Sequence, residues 1–369
     1  MVIKSLELRN FRLHKNTGLK FSDNLNYIIG GNGQGKTTIL EAVYFLCTTK
    51  SLLQASDFEY LNFEEEFFEV NGSFSDITED KVKLFYDIES GRKQTFLNDK
   101  QIYRASSLIG RFPVVTLVQS DHFITQGAPG ERRKFIDSVI SQSSKTYLEF
   151  LIDYGKTLRQ RSSLLQQIKE RRNFNLTDQL ESWTETLIQK GVEIIYHRKN
   201  FISEFRSYIK NSYNKIMEQR EEPEIDYYYQ DDSREEIEEK LRSEFNEKKE
   251  DELRRGTNLA GPHRDDFLFK INDMELRKYG SQGQHKTFQI ALRFGQFFFM
   301  NEKMNKTPIF LMDDVFGELD SFRAGKISKY LNEVGQAFIT MTDFSNIGSL
   351  QKNENDLIIN VSDGIVSYE

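Results

Sequence analysis

This 369-residue chain has a single cysteine, Cys47, so it can form no internal disulfide and no cysteine-based metal centre. Its five histidines, His14, His122, His197, His263 and His285, are scattered without the spacing that zinc ligands need. No apolar run approaches the ~20 residues that cross a bilayer, and no membrane partner is expected. The opening residues, Met1-Val2-Ile3-Lys4-Ser5-Leu6, read as a strand rather than a leader, so a cytoplasmic protein is expected. Internal repeats and low-complexity tracts are also missing. With 38% hydrophobic residues and a mean hydropathy of −0.60, the chain is polar, and its length implies two or three domains.

The net charge of −7 at first argues against a nucleic-acid partner, but the charge is unevenly spread. Residues 131–220 hold 17 Lys/Arg against 11 Asp/Glu, whereas residues 221–252 hold 5 against 15. Screening limits electrostatic reach to about 8–10 Å, so a phosphate backbone responds to the local surplus rather than to the total. Both stretches also read as ordinary solvated helix faces.

The most specific pattern is Gly30-Gly31-Asn32-Gly33-Gln34-Gly35-Lys36-Thr37, which fits G-x-x-x-x-G-K-[ST]. It follows the strand-like run Leu25-Asn26-Tyr27-Ile28-Ile29 and precedes an apolar helical stretch beginning at Thr38. That context defines a phosphate-binding loop. Glycines let the backbone N–H groups wrap the phosphates, Lys36 supplies charge to the β/γ-phosphates, and the Thr37 hydroxyl is placed to ligate Mg²⁺. ATP and Mg²⁺ are therefore the expected cofactors, with Gly30 through Thr38 as nucleotide contacts.

A second constellation lies near the other end. Ile309-Phe310-Leu311-Met312 reads as a buried strand ending in Asp313-Asp314. Asp313 is expected to hold Mg²⁺ with Thr37, and Asp314 stands where a catalytic carboxylate orients the attacking water, so Asp314 and Lys36 are the catalytic candidates. Upstream, Ser281-Gln282-Gly283-Gln284 resembles an ABC signature, which completes the nucleotide site of a second head. Downstream, Gly317-Glu318-Leu319-Asp320 resembles a D-loop. Thr340, Thr342 and Asp343 occupy the switch region, and Gln119 falls near a Q-loop position as a further metal candidate.

Along the chain, residues 1–130 read as α/β, residues 131–254 as mainly helical, and residues 255–369 as α/β again. Expected strands include Ile3–Leu8, Phe67–Phe74, Val82–Ile88, Val114–Val118, Leu357–Val361 and Ile365–Tyr368. In the helical region a break near Asn173-Phe174-Asn175 implies antiparallel helices, with Trp183, Leu187, Ile194 and Ile195 as core. The expected architecture is an ABC-type, SMC-like P-loop head assembled from the two end segments, 1–130 and 255–369, with a helical arm inserted between them. The spacing from Lys36 to Ser281 far exceeds that of a transporter head, and the arm accounts for the excess.

Several stretches together resemble the bacterial RecF family of SMC-like recombination mediators. They are Leu8-Arg9-Asn10-Phe11-Arg12, the P-loop, Gly127-Ala128-Pro129-Gly130-Glu131-Arg132-Arg133-Lys134-Phe135-Ile136-Asp137, Gly261-Pro262-His263-Arg264-Asp265-Asp266, Ser281-Gln282-Gly283-Gln284, Asp313-Asp314-Val315-Phe316-Gly317-Glu318-Leu319-Asp320 and Thr340-Met341-Thr342-Asp343. The resemblance implies ATP-dependent homodimerisation, binding to double-stranded and gapped DNA at strand junctions, and slow DNA-stimulated ATP hydrolysis. It also implies work with RecO and RecR to load RecA, in the cytoplasm at the nucleoid. Two departures stand out: Gly317 replaces a usual Ser, and Ser51-Leu52-Leu53 lacks a usual Arg.

Lys156, Arg159, Arg161, Arg171, Arg172, Lys199, Arg206 and Lys210 are collectively the expected DNA-facing charge. Arg132-Arg133-Lys134 admits a DNA contact, an ion-pair cluster or a hinge, and the structural readings are favoured. His263 and Arg264 are open between shaping the nucleotide site and holding the arm's return strand. Alternative functions are an SMC-like ATPase acting on a protein partner, a nuclease-linked ATPase, and a transporter or motor head.

Overall fold

The computed structural model describes the whole chain except residues 54, 172–175, 218–220, 230–231 and 343–352. It divides into two compact units, one of Met1–Asp121, Asn211–Gln219 and Ile290–Glu369, the other of His122–Lys210 and Arg220–Gln289.

The first unit holds two six-stranded sheets. In one, β3 (Leu25–Ile29) lies at the centre, with β13 (Ala337–Met341) and β14 (Leu357–Ser362) parallel to it on either side. Beyond β13 come β12 (Ile309–Met312) and β8 (Val114–Leu117), also parallel, while β15 (Ile365–Tyr368) closes the other edge antiparallel to β14. The strands β8, β12 and β13 are buried at every position, as expected for strands covered on both faces, and this is why they read as unbroken apolar runs. The second sheet is antiparallel, in the order β2 (His14–Lys20), β1 (Val2–Phe11), β4 (Phe67–Ser75), β5 (Glu79–Asp87), β6 (Arg92–Leu97) and β7 (Lys100–Ile102). Here burial alternates, and Leu6, Leu8, Phe68, Val70 and Leu84 point inward.

Helix α1 (Lys36–Thr48) joins both sheets in one apolar core. Its Ile39, Leu40, Val43, Phe45 and Leu46 are almost wholly buried. A Cβ on Gly72 would come within 2.5 Å of Leu46 Cδ1, so β4 needs a glycine where the helix lies closest. Phe11 stacks on Tyr60 at 5.1 Å and meets Phe68 edge-on at 5.2 Å, which seals the end of this core below the P-loop helix.

The second unit is mainly helical, built from α2 (His122–Gln126), α3 (Pro129–Ser143), α4 (Lys145–Arg171), α5 (Thr177–Ile216) and α6 (Arg234–Arg255). At 40 residues, α5 is ~60 Å long at 1.5 Å per residue, and its last turns count with the first unit. A three-stranded sheet not foreseen from sequence runs β11 (Met274–Glu275), β10 (Phe267–Ile271), β9 (Pro223–Tyr227). After it come α7 (Leu276–Tyr279) and α8 (Gln282–Met304); the first unit also contains α9 (Ser321–Leu331).

Compactness thus draws the boundary differently from the sequence, because the segment after Gly256 is tied to the helices. Strand β10 pairs with β9, Asp266 accepts from Arg132 Nε at 2.7 Å, and Asp265 lies 3.3 Å from Arg198 Nη1. Arg133 donates to the Asp265 carbonyl, and Lys134 pairs with Glu131. The basic run is therefore an ion-pair cluster. His263 and Arg264 likewise hold the return segment, through Tyr154 and the Asn258 carbonyl. Leu187, Ile194 and Ile195 are core as expected, but Trp183 is 36% exposed, because its side of α5 is not covered. The expected break at residues 173–175 lies outside the described residues.

Arg198 is the hub of this unit. Only 2% exposed, it pairs with Asp137 at 2.9 Å and with Asp265, and donates to the Pro262 carbonyl at 2.8 Å. Burial alone would depress its pKa, yet Asp137, Tyr147, Tyr227 and Asp265 together outweigh that and hold it well above the ordinary value. Arg198→Ala leaves two largely buried carboxylates with only the Tyr147 and Tyr227 hydroxyls as partners and is expected to cost up to ~3–5 kcal/mol, seen as a lower urea midpoint for the transition reporting the helical unit.

Candidate nucleotide-binding site

The P-loop forms where β3 hands the chain to α1. Gly33 and Gly35 adopt φ of 77° and 103°, values that side-chain-bearing residues resist. Gly30 is fixed for a different reason: a Cβ there would lie 2.2 Å from the carbonyl oxygen of Val361 on β14. Lys36 Nζ curls back over the loop and donates to the carbonyls of Gly30 at 2.6 Å and Gly31 at 2.8 Å. Burial lowers its pKa while Asp314 and Asp313 pull it up. The first turn of α1 carries no acidic residue, so its N-terminal N–H groups face the loop without a competing carboxylate.

The register of the parallel sheet puts the acidic pair beside this loop. Met341 pairs with Ile29 and Ile339 with Met312, so β3, β13 and β12 end side by side. Thr37 Oγ1 donates to the Asp313 carboxylate at 2.9 and 3.1 Å, and Thr340 Oγ1 donates to the same carboxylate at 2.7 Å. The Asp314 N–H donates to Thr340 Oγ1 at 2.8 Å, and Asp314 itself sits at φ 49°. A Cβ on Gly317 would stand 3.5 Å from Asp314 Oδ1, so this glycine lies directly against the expected catalytic carboxylate. Thr340, expected only as one of three switch residues, is buried and directly hydrogen-bonded to the acidic pair; Thr342 is exposed, and Asp343 lies outside the described residues. Gln119 is exposed in the turn after β8, while its neighbour Asp121 is buried and ion-paired with Arg293 at 2.5 Å.

Two groups escaped the sequence reading. His14 Nε2 donates to the Gly35 carbonyl at 3.1 Å, and its Nδ1 lies 3.1 Å from Thr17 Oγ1, which donates to the Gly364 carbonyl. The Gly364 N–H in turn donates to the Gln34 carbonyl at 3.1 Å, so two hairpins brace the P-loop. Glu41, on the buried side of α1, accepts from Tyr60 Oη at 2.8 Å and pairs with Arg12 at 2.6 Å. Burial pushes its carboxyl up to about 7, Asp313 adds to that, and Arg12 and Tyr60 oppose it. Neither group belongs to a motif with regular spacing.

Ser281 through Gln284 belong to the second unit and open α8. Gln284 N donates to Ser281 Oγ at 3.2 Å and Ser281 N donates to Gln284 Oε1 at 2.9 Å, a reciprocal cap. Gln284 Nε2 also donates to Glu221 at 2.8 Å. In the D-loop stretch, Leu319 closes a 3₁₀ turn, and Asp320 caps α9 by accepting from Arg323 N at 2.8 Å, a bond that holds its carboxyl low. The Glu318 side chain lies outside the described residues.

The expected DNA-facing charges divide. Arg161 is corrected: it is 2% exposed, bound to Glu252, Asn258 and Thr184, and belongs to the interior. Glu252 sits on the inward face of a helix dominated by exposed acids, which spacing alone does not reveal. Lys156 pairs with Asp153, Arg206 with Asp226 and Lys210 with Glu222, all near the surface, and Arg159 is exposed. Lys199 donates to the Asp232 carbonyl at 2.8 Å. The side chains of Arg171 and Arg172 lie outside the described residues.

A P-loop after the central parallel strand, an acidic pair after its second neighbour, and a helical unit inserted into the same chain define an SMC-like ABC-type ATPase. The family model for the RecF/RecN/SMC N terminal domain matches residues 2–355. A DNA replication and repair protein RecF from Chloroherpeton thalassium is 39% identical over 363 residues, covering 96% of this chain and 98% of that protein. The protein of the same name from Salinibacter ruber is 35% identical over 93% of this chain and 85% of its own length. A solved structure of the recombination mediator protein RecF-ATP in the RecFOR pathway superposes with TM-score 0.88 at 31% identity, covering all of this chain and 97% of that one. The Smc head domain of Pyrococcus furiosus shares the fold, with TM-score 0.59 at 16% identity. The chain belongs to the RecF family.

Glu41 carries the pH prediction of this site. Its raised folded pKa makes its contribution to stability fully present below the unfolded value of about 4.5 and lost as pH rises through about 7. Glu41→Gln, which resembles the neutral form at every pH, is expected to gain on the wild type in melting temperature as the buffer goes from pH 5 to pH 8. A constant difference across that range overturns the assignment.

Proposed function

We propose that this protein is an ATP-gated DNA-repair clamp: ATP pairs two heads on DNA at a gap or strand junction, and slow hydrolysis releases them. The carrying observation is the convergence of Lys36, Thr37, Asp313 and Asp314 at one end of the parallel sheet, in a chain of the RecF family. Relatives described as RecF-ATP in the RecFOR pathway support ATP as ligand and RecO and RecR as partners.

One carboxylate and one hydroxyl suit the protein's share of a Mg²⁺ site, whose other ligands are phosphate oxygens and water. Thr37 and Asp313, already in contact, are those two groups. Bound there, the ion would offset the charge that develops on the β- and γ-phosphates. Lys36 would exchange its two loop carbonyls for phosphate oxygens. Asp314 would orient the attacking water, while its backbone N–H stays fixed on Thr340. Ser281 at the start of α8 would meet the γ-phosphate held by a second copy, so turnover depends on pairing.

DNA recognition would fall to the arm's exposed charges, Lys156, Arg159, Arg206 and Lys210, with the half-buried Lys199 beside them. Contacts to backbone phosphates would give a salt slope of roughly −0.9 per phosphate neutralised.

The test is fluorescence anisotropy of a gapped duplex against a blunt duplex of equal length, with and without Mg-ATP. Tighter binding with ATP, strongest on the gapped DNA, is expected; binding indifferent to both makes a protein the relevant partner. Lys36→Ala is expected to abolish ATP-driven pairing. Asp314→Asn is expected to pair but turn over slowly, and normal hydrolysis by that variant removes Asp314 from its catalytic role.

A further inference from the structure

Behind the P-loop, in the first unit, a ring of hydrogen bonds closes through residues that belong to no nucleotide motif. His14, which opens β2, is wholly buried, and so is nearly all of Thr17. His14 Nε2 lies 3.1 Å from the Gly35 carbonyl oxygen. A carbonyl only accepts, so this ring nitrogen carries the hydrogen. Nδ1 lies 3.1 Å from Thr17 Oγ1, which donates to the Gly364 carbonyl at 3.1 Å. The Gly364 N–H donates to the Gln34 carbonyl at 3.1 Å, and Gln34 adjoins Gly35 in the chain, so the circuit returns to its start.

This ring acts on the orientation of two peptide planes. Each is trans, so its C=O and N–H point in opposite directions. Fixing the Gly35 carbonyl on His14 turns the Lys36 N–H away from the ring, and fixing the Gln34 carbonyl on Gly364 does the same for the Gly35 N–H. Gly35 is left-handed, at φ 103° and ψ 8°, and helix α1 begins at the next residue. Such a change of hand gathers successive N–H groups into one anion-binding concavity. The Lys36 N–H, at the first helical position, has no acceptor within the helix. A Cβ on Gly35 would lie 2.9 Å from His14 Nε2, so the imidazole sits flush against the backbone it holds.

We infer that His14 is a positioning residue for nucleotide binding: through the Gly35 carbonyl it aims the Lys36 N–H at the phosphates, while Thr17 and the Gly364 turn set the adjoining Gly35 N–H. This rests on the reading that the P-loop holds the phosphates. His14 works from the far side of the peptide, so what it contributes is order. Two donors are aligned at folding, and their alignment costs nothing when the nucleotide arrives.

Titration of the full-length protein with methylanthraniloyl-ADP and Mg²⁺ tests this without requiring a second copy. His14→Phe keeps a ring but has no donor, and is expected to weaken binding roughly tenfold. His14→Gln, whose amide can donate to the Gly35 carbonyl, is expected to recover most of that loss. Thr17→Val, close to isosteric, is expected to lose about threefold and keeps the test open if His14→Phe does not fold. Because both substitutions open one ring, the double variant is expected to lose less than the product of the two. In ATP hydrolysis, KM is expected to rise in step with the dissociation constant while kcat stays within about twofold. Lower melting temperatures with unchanged ADP affinity make the ring a matter of stability alone and overturn the inference. His14→Gln binding as weakly as His14→Phe overturns it too. A wild type that binds ADP no better than Lys36→Ala overturns the P-loop reading as well.

Discussion

The Asp313 carboxylate is the point on which the head depends. It accepts from Thr37 at the start of α1 and from Thr340 at the end of β13, while Asp313 itself ends β12, so one acidic side chain fixes three elements in mutual register. Thr340 passes the constraint on by accepting the Asp314 N–H, which holds that residue in a left-handed turn. The same two oxygens would serve the proposed cation. A fold-stabilising contact and the proposed cation site would then coincide, and the cation would enter a frame that the two hydroxyls have already aligned.

Around this point the scaffold leaves little freedom. The P-loop is pinned by the Val361 carbonyl against Gly30, by His14 on Gly35 and by the Gly364 N–H on Gln34. These supports come from residues far apart in sequence. A loop braced in this way can keep its N–H groups converging on a single anion without losing order when the anion leaves.

Local chemistry was legible in the sequence and distant partnerships were not. The P-loop, strand β12 with its acidic end, helix α1 and most strands of both large sheets follow from residue spacing, because their signals lie within a few neighbours, whereas β2, β6, β7 and β13 were not foreseen. Spacing also makes Leu187, Ile194 and Ile195 core. The same reasoning misplaces Arg161, whose partners Glu252 and Asn258 come from a different helix and loop, and Trp183, whose neighbours leave it partly uncovered. His14 and Thr340 bear on the site only through tertiary contacts with Gly35 and Asp313. In the small sheet, β9 hides inside a stretch whose charge and periodicity look helical, while β10 and β11 fall in the returning α/β segment without a strand pattern strong enough to single them out. The end of the arm is displaced because β10 pairs with β9 across the acidic helix, a pairing that no local pattern announces.

The reciprocal cap at the head of α8 has a kinetic meaning. Ser281 Oγ accepts the Gln284 N–H with its lone pair, which leaves the hydroxyl hydrogen available to an outside acceptor. Because the helix start is ordered by its own side chains, the entropy of arranging it is spent at folding rather than at encounter. An arriving phosphate would therefore meet a preorganised receptor, and two copies could associate as rigid bodies. The lifetime of such an assembly would be timed by cleavage of the γ-phosphate, a chemical clock, rather than by melting and re-forming of the surface that grips it.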